Sequence, residues 1–281
     1  MLIIAAGMGI SLLLAQEISP EREYLDNFTR IRGDAAGGIT LFHWTGKVYS
    51  MIPGEKRTEL FAFEGYNIAR TIPAETGFQL LTREAAFYID HRTGQILENW
   101  RNPISGMEVP VIHIWNDPVN QDMSFSEEDL RYVRMIFPST DLGEQIAYHM
   151  EIFPHYPSPL PRKEYSQFSQ SDTYSAAEFF QFFADKKDLA NKDLSTVPVN
   201  ITWTRISPWM PFMRMGDRPG NLVFVCRGRK LPGGFADLPK HIRDYVMLHN
   251  PIFSEPPKEF TEPNETSWTY FRKLMEQGLI K

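Results

Sequence analysis

The side chains best suited to acid–base chemistry lie in stretches where polar and apolar residues alternate. In residues 39–51, ITLFHWTGKVYSM, His43 shares a face with Leu41, whereas Trp44 lies on the opposite face. Imidazole and carboxylate groups that converge inside a barrel would form a mostly apolar pocket with a few orienting polar groups. The candidate acid–base residues are therefore His43, Glu64, His113 and Asp117.

A second set of side chains, placed in the same way, is suited to holding a ligand through guanidinium, imidazole, carboxylate or aromatic contacts. We expect His43, Glu64, Arg83, His113 and Arg205 to point into one interior space. The alternative is that these faces meet solvent on a half-buried sheet, because register cannot be derived without knowing which strands pair. The candidate ligand-binding residues are Arg83, Trp115, His149, Glu151, Trp203, Arg205 and Trp209.

His43, His113, His149 and Glu151 also invite interpretation as metal ligands, since His and carboxylate side chains bind zinc or iron. No pair of them has a diagnostic spacing, and scattered histidines are more often hydrogen-bonded core or surface groups. We predict no metal site and no cofactor. The glycine-rich nucleotide loops, the H-E-x-x-H motif and the G-x-S-x-G elbow are all absent from the sequence.

Two loops carry chemistry-bearing residues that have structural alternatives. Asp117 precedes Pro118, which favours a loop-fixing turn over an acid–base role. Residues 208–213, PWMPFM, are too rich in proline for a helix or strand. The loop over residues 209–215 is interpreted either as an adaptable lid over a pocket or as a packed plug at one end of a barrel.

The elements that must position these residues are mostly β-strands. A period of two and turn residues at short intervals predict about eight strands between residues 39 and 227, of which 174–184 is also compatible with a helix. Gly65 is predicted to be a β-bulge. This pattern is typical of an antiparallel barrel or closed sandwich, lipocalin-like, with short terminal helices. The predicted strands cover residues 39–51, 58–70, 77–90, 95–100, 109–115, 143–153, 172–184, 197–205 and 221–227, and the predicted helices cover 20–36, 238–248 and 266–277.

Composition and the N-terminus set further bounds. Hydrophobic residues make up 42% of the 281, aromatic residues 13%, and the formal net charge is −6, which argues against a nucleic-acid surface. Cys226 is the single cysteine, so no intramolecular disulfide forms.

Residues 1–16 are apolar, uncharged and too short for a stable membrane span, which favours an export signal and a periplasmic or secreted protein. The alternative is a buried N-terminal helix. Residues 17–281 are then one β-rich domain.

Several runs in the chain resemble those of the bacterial and fungal family known as domain of unknown function 1838. These runs are LFAFEGYNIAR at 60–70, TGQIL at 93–97, WRNP at 100–103, NDPVN at 116–120, WTRI at 203–206 and PWMPFM at 208–213. They recur in order, and the resemblance covers nearly the whole chain from about residue 25. It implies that members are often exported, and it carries no activity.

Three functional hypotheses follow from the residues. The first is a barrel that binds a hydrophobic small molecule, and the second is an isomerase, hydratase or hydrolase that uses the acid–base residues in the same pocket. The third is a structural envelope protein with a filled core. A cavity separates the first two from the third. The sequence leaves the ligand and the oligomeric state open.

Overall fold

The structure, a computed structural model, describes residues 19–280. The predicted export signal, residues 1–16, lies outside the described residues. The chain begins with helix α1, Pro20–Arg32, where Ser19 accepts a hydrogen bond from the backbone N–H of Arg22 and caps the first turn. The helix ends at Arg32, with Gly33 as its C-cap, four residues before the end of the predicted helix.

A large antiparallel sheet dominates the fold and confirms the prediction of a mainly β protein. Its strands follow the order β6-β3-β2-β1-β14-β13-β12-β9-β8, and β7 also pairs with β3. The bounds are β1 Ile39–Met51, β2 Thr58–Ala74, β3 Gly77–Ile89, β6 Ile114–Asn116, β7 Gln121–Ser124, β8 Ser139–Asp141, β9 Gln145–Ile152, β12 Ala177–Asp185, β13 Asn200–Ser207 and β14 Asn221–Leu231.

The remaining elements are short strand pairs and helices around this sheet. Two ribbons pair separately, and the C-terminal segment contributes the two longest helices after α1. The ribbons are β4 Asn99–Arg101 with β5 Glu108–Pro110, and β10 His155–Pro157 with β11 Thr173–Ser175; the helices are α2 Val133–Ile136, α3 Arg162–Tyr165, α4 Lys186–Ala190, α5 Lys240–His249 and α6 Ser267–Glu276.

The main sheet is strongly curled. The rings of Phe42 in β1 and Phe182 in β12 are 5.9 Å apart, although two strands lie between them. In a flat sheet three strand spacings would separate such residues by roughly 14 Å. Within residues 19–280, however, no backbone pairing joins β6 to β8. Within the described residues the curled sheet is therefore open between its edge strands β6 and β8.

Details of several predicted strands differ from the structure. Residues 172–184 form strands β11 and β12, not a helix. The predicted strand 109–115 is split between β5 and β6, and β10, β7 and β8 were not predicted because strands of three or four residues leave almost no period to detect. Gly65 is not a bulge. It pairs regularly with Trp44 and Ala86, while the register shift lies at Val48/Tyr49.

The register divides the side chains of the main sheet between two faces. Directly paired residues share a face and neighbours in a strand alternate. We call the concave side the inner face, which carries Phe42, Trp44, Glu84, Phe182 and Trp203, and the other side the outer face, which carries His43, Glu64 and Arg83.

Each face is covered by a different end of the chain. Phe28 of α1 lies on the inner face and contacts Phe78 of β3 and Tyr148 of β9, so the helix bridges two distant strands across the curl. Ile242 and Val246 of α5 pack on the outer face, against a smaller apolar cluster. The inner face therefore holds most of the core, with α1 closing over it.

Candidate functional site

A cavity remains between α1 and the curled inner face. Its volume is about 60 Å³, which is room for a few waters or one small flat group and well below the roughly 300–1,000 Å³ of typical ligand pockets. It therefore suits a small ligand and not a lipid. The lining residues are Arg32, Phe42, Trp44, Asn67, Glu84, Gln121, Met150, Phe180, Phe182, Ile201 and Trp203.

Arg32, the last residue of α1, supplies the positive charge of this cavity. It is only 8% exposed, its Nη2 donates to Oε1 of Gln121 at 2.7 Å, and its guanidinium lies 4.8 Å from the ring centre of Phe182. Burial lowers the pKa of Arg32 to about 10. Within residues 19–280 the guanidinium forms no ion pair with a carboxylate, and its hydrogen bond to Gln121 is with a neutral amide.

Two buried hydrogen-bond donors on residues that line this cavity have no acceptor within residues 19–280. Among residues 19–280, no atom accepts a hydrogen bond from Nε of Arg32 or from Nε1 of Trp44, which is 7% exposed. Both residues line the cavity. Buried donors are satisfied in the great majority of proteins, so two orphaned donors at one cavity indicate an acceptor that belongs there.

Glu84 is the acidic group of the cavity. It reaches the inner face from β3, and its only hydrogen bond within residues 19–280 is a long one of 3.5 Å, from Nδ2 of Asn116 to Oε1. Burial, and then the nearby charge of Glu178, raise its pKa to about 7, while Arg205 opposes the shift. A carboxyl group with such a pKa exchanges a proton near neutral pH.

The cavity wall is aromatic and rigid. Trp203 stacks on Phe180 with ring centres 6.0 Å apart and lies 5.9 Å from Trp44. Nε1 of Trp203 donates to Glu178 at 3.0 Å, which locks the indole in place. Tryptophan and phenylalanine rings in this arrangement offer a flat apolar slot beside the charged groups.

The sequence-predicted acid–base residues do not meet in this cavity. His43 and Glu64 lie on the outer face, where Nε2 of His43 is 2.8 Å from Oε1 of Glu64. His241 of α5, which the sequence analysis did not single out, contacts the other carboxylate oxygen at 3.0 Å. These two hydrogen bonds, against the opposing effect of burial, lower the pKa of Glu64. The three residues join α5 to the sheet.

The other predicted residues of the outer face are dispersed along it. Nε of Arg83 is 2.9 Å from Oδ2 of Asp117, and the guanidinium also donates to the carbonyls of Ile252 and Glu255, so Asp117 and Arg83 fix surface loops. His113 and Trp115 pack around Phe87, with Nδ1 of His113 accepting from the N–H of Tyr88.

The position of Arg205 contradicts the prediction that the five polar residues point into one interior space. It pairs through Phe224 with Val48, which places it on the inner face, opposite His43, Glu64 and Arg83. The shared pocket predicted for the five residues therefore does not exist. The cause is register: whether a residue at an odd or an even position faces inward depends on the partner strand.

The remaining predicted ligand-binding residues have ordinary structural contacts, apart from Trp203. His149 hydrogen-bonds Thr140 at the surface, and Glu151 is exposed. Trp209 is buried and donates to the carbonyl of Arg218. The loop 209–215 packs as a plug, because Met213 has no exposed surface and the ring of Phe212 lies 5.1 Å from Tyr88.

A search of residues 19–280 for metal-binding clusters and membrane helices adds two observations. No group of three or more His, Cys, Asp or Glu side chains there is arranged to hold a metal ion. No helix in the same residues is long and apolar enough to cross a membrane.

Sequence reasoning missed the three polar residues that matter most in the cavity, namely Arg32, Glu84 and Gln121. Arg32 ends an amphipathic helix, where basic residues usually meet solvent. The sequence analysis selected Arg83 and not its neighbour Glu84. The alternation within β3 does not show which of two adjacent positions faces the interior, so an error of one residue was enough to select the wrong one. No signal in the sequence indicated Gln121.

The family can now be stated. Residues 38–275 match the family described as protein of unknown function (DUF1838). The chain belongs to this family. No curated protein and no solved structure matches it. The match confirms the resemblance carried by the runs between residues 60 and 213, two of which supply the cavity residues Asn67 and Trp203.

Proposed function

We propose that this member of the DUF1838 family binds a small organic acid in the inner cavity, with the carboxylate against Arg32 and Trp44. The observation that carries the proposal is the buried guanidinium of Arg32, whose Nε has no acceptor and which forms no ion pair with a carboxylate within residues 19–280. Burying an unpaired charge costs several kcal/mol. A bound anion offsets that cost and satisfies both orphaned donors.

The rest of the lining supports an aromatic or similarly flat body for the ligand. Phe42, Phe180, Phe182 and Trp203 form most of the wall, and the volume of about 60 Å³ limits the ligand to about one ring with small substituents. The sequence predicts a hydrophobic small molecule as the ligand. The lining of the cavity instead favours an amphipathic ligand, with an apolar body and a carboxylate. The curled sheet and its interior cavity favour a barrel-like binding protein over a structural envelope protein with a filled core.

The test measures benzoate binding by isothermal titration calorimetry. Arg32→Met removes the charge and keeps an unbranched apolar chain between the aromatic rings. We expect the dissociation constant to rise about ten-fold or more, the scale of one charge-assisted hydrogen bond of about 1.5–3 kcal/mol. The matched control is Arg22→Met on the same helix, where the guanidinium is partly exposed and paired with Asp26, and benzoate affinity should not change.

A second variant separates loss of binding from loss of folding. Trp44→Phe removes the Nε1 donor and keeps an aromatic ring in the wall, so benzoate affinity should fall about three-fold or more while the circular dichroism spectrum stays native. Wild-type protein that does not bind benzoate, or Arg32→Met protein that binds it as tightly as the wild type, would overturn the proposal.

We also propose that the protein is exported to the periplasm or secreted. The support is the uncharged apolar run over residues 1–16 and the polar residues that follow it. N-terminal sequencing of protein from its own host should find a start beyond residue 16. A start at Met1 in soluble cytosolic protein would contradict export.

A further inference from the structure

The cavity has a second polar group that the proposed function does not use. Glu84 lines the same space as Arg32, yet within residues 19–280 no ion pair joins the two side chains: Arg32 donates to Gln121, and Glu84 accepts from Asn116. The carboxyl of Glu84 is therefore too far from the guanidinium to pair with it. Glu84 of β3 is paired through Asn67 with Phe42, two strands away, whereas the guanidinium of Arg32 lies 4.8 Å from the ring centre of Phe182 in β12. The two polar groups therefore line different parts of the cavity.

The hydrogen-bonding capacity of Glu84 is largely unused. Glu178, whose charge acts on Glu84, accepts from Nε1 of Trp203 and lies 3.6 Å from Nε of Arg205, so it already has partners. Arg205 also donates to the hydroxyl of Tyr174 at 2.6 Å. Glu84 has only the 3.5 Å contact from Asn116, which leaves most of the carboxyl group free to meet a ligand.

We propose that the Glu84 carboxyl group binds a carbonyl oxygen at the far end of the ligand, so that the natural ligand is a small aromatic acid with a carboxylate at one end and an oxo group at the other. This inference rests on the proposed function, because the Arg32 end must hold the carboxylate. A carbonyl oxygen only accepts hydrogen bonds, so Glu84 must be in its neutral, donating form when the ligand is bound.

The surroundings of Glu84 support that form. Burial and the charge of Glu178 favour the neutral carboxyl, Arg205 opposes them, and Tyr88, which lies on the same face of β3, is uncharged at neutral pH because burial raises its pKa. The Glu84 pKa of about 7 means that the donating form dominates below neutral pH and disappears above it. Binding of the oxo acid then takes up a proton when the pH is near or above 7.

Two probes of nearly equal shape test the carbonyl end. 4-Acetylbenzoate carries the oxo group, and 4-isopropenylbenzoate replaces it with a methylene group. At pH 6 we expect the acetyl compound to bind about five-fold tighter or more, the scale of one neutral hydrogen bond. The preference should vanish by pH 9, where Glu84 is ionised. Calorimetry in buffers of different ionisation enthalpy should detect the proton uptake.

Substitutions of Glu84 distinguish a ligand contact from a structural role. Glu84→Gln keeps an N–H donor that does not titrate, so it should retain the preference for 4-acetylbenzoate at both pH 6 and pH 9. Glu84→Met should abolish the preference for 4-acetylbenzoate over its isopropenyl analogue at both pH values, because it removes the donor. A role limited to folding would change neither the ratio between the probes nor its dependence on pH.

The outcomes separate the two proposals. If benzoate binds but 4-acetylbenzoate binds no tighter than its isopropenyl analogue, this inference is wrong and the proposed function stands. If 4-(aminomethyl)benzoate binds tighter than both at pH 9, the Glu84 end receives an ammonium group and the oxo assignment is overturned. If none of these acids binds, the proposed function fails together with the inference.

Discussion

At the scale of single residues, the inner cavity has two buried donors, on Arg32 and Trp44, that find no acceptor within residues 19–280. Arg32 keeps a free donor beside Phe42 and Phe182, and Glu84 has one weak partner. Both groups lower the stability of the empty protein, since burial of an unpaired polar group costs free energy that only a ligand repays. Strain of this kind is typical of binding sites and rare in filled cores.

This trade-off predicts the effect of Arg32→Met on stability without ligand. The substitution removes a buried charge and retains apolar packing, so the free energy of unfolding should rise by about 1–2 kcal/mol, although the hydrogen bond to Gln121 is lost. Urea denaturation of the ligand-free proteins measures it. Arg22→Met, which removes a partly exposed ion pair, should change stability by less than about 0.5 kcal/mol. A marked loss of stability in Arg32→Met would mean that Arg32 is a structural residue.

At the scale of elements, helix α5 is attached to the outer face by both apolar and polar contacts. Ile242 and Val246 are fully buried, and His241 contacts the Glu64 carboxylate that also binds His43. Because Glu64 is mostly buried whereas His241 is 51% exposed, most of the stabilisation comes from the His43 side of this triad. The triad is thus a latch between β1, β2 and α5.

Weakening this latch should loosen α5 more than the rest of the fold. Glu64→Gln leaves two imidazoles facing a neutral amide, which should cost about 1–3 kcal/mol and speed hydrogen exchange of the amides of α5. Glu59→Gln on the same strand is the matched control, because Glu59 pairs with the exposed Lys47 and should cost less than about 1 kcal/mol. Equal exchange rates of α5 in the two variants would show that the apolar contacts alone hold the helix.

At the scale of the whole molecule, two buried groups give stability opposite dependences on pH. The folded-state pKa of Glu84, about 7, is above its ordinary value of 4.5. The contribution of Glu84 to the free energy of unfolding is therefore greatest below pH 4.5 and is lost as the pH rises to 7. Burial lowers the pKa of His113 from 6.5 to about 3, so its contribution is full above pH 6.5 and is lost as the pH falls. Between pH 4.5 and 6.5 both contributions to stability change with pH, and they change in opposite directions.

Variants that do not titrate should separate these contributions. Relative to the wild type, Glu84→Gln should gain about 2 kcal/mol more in unfolding free energy at pH 8 than at pH 5. His113→Asn, which keeps an acceptor for the N–H of Tyr88, should lose less stability than the wild type between pH 6.5 and 4. Urea denaturation across pH 4–9 measures both. Parallel stability curves for the wild type and either variant would contradict the assignment for that residue.

The class of fold, the family and the first residues of the long elements could be derived from the amino-acid sequence alone, whereas β2 and β14 each end four residues beyond the predicted end. Strand β1 matches its predicted range, 39–51, because thirteen alternating residues show the period-two signal clearly, and α6 lies within 266–277 because Thr266 caps it. Strands of three residues, such as β8, are too short to show this alternation. Of the aromatic residues that line the cavity, the sequence analysis selected only Trp203.

Which polar residues meet in the cavity was decided by the tertiary structure alone. Register assigns Glu84 and Arg205 to the inner face and His43 to the outer face, and a shift of one residue would have exchanged the faces. Curling of the sheet then brings β12 against β1, and α1 adds Arg32 from a distant part of the chain. These placements depend on long-range packing, because the alternation within one strand contains no information about its partner.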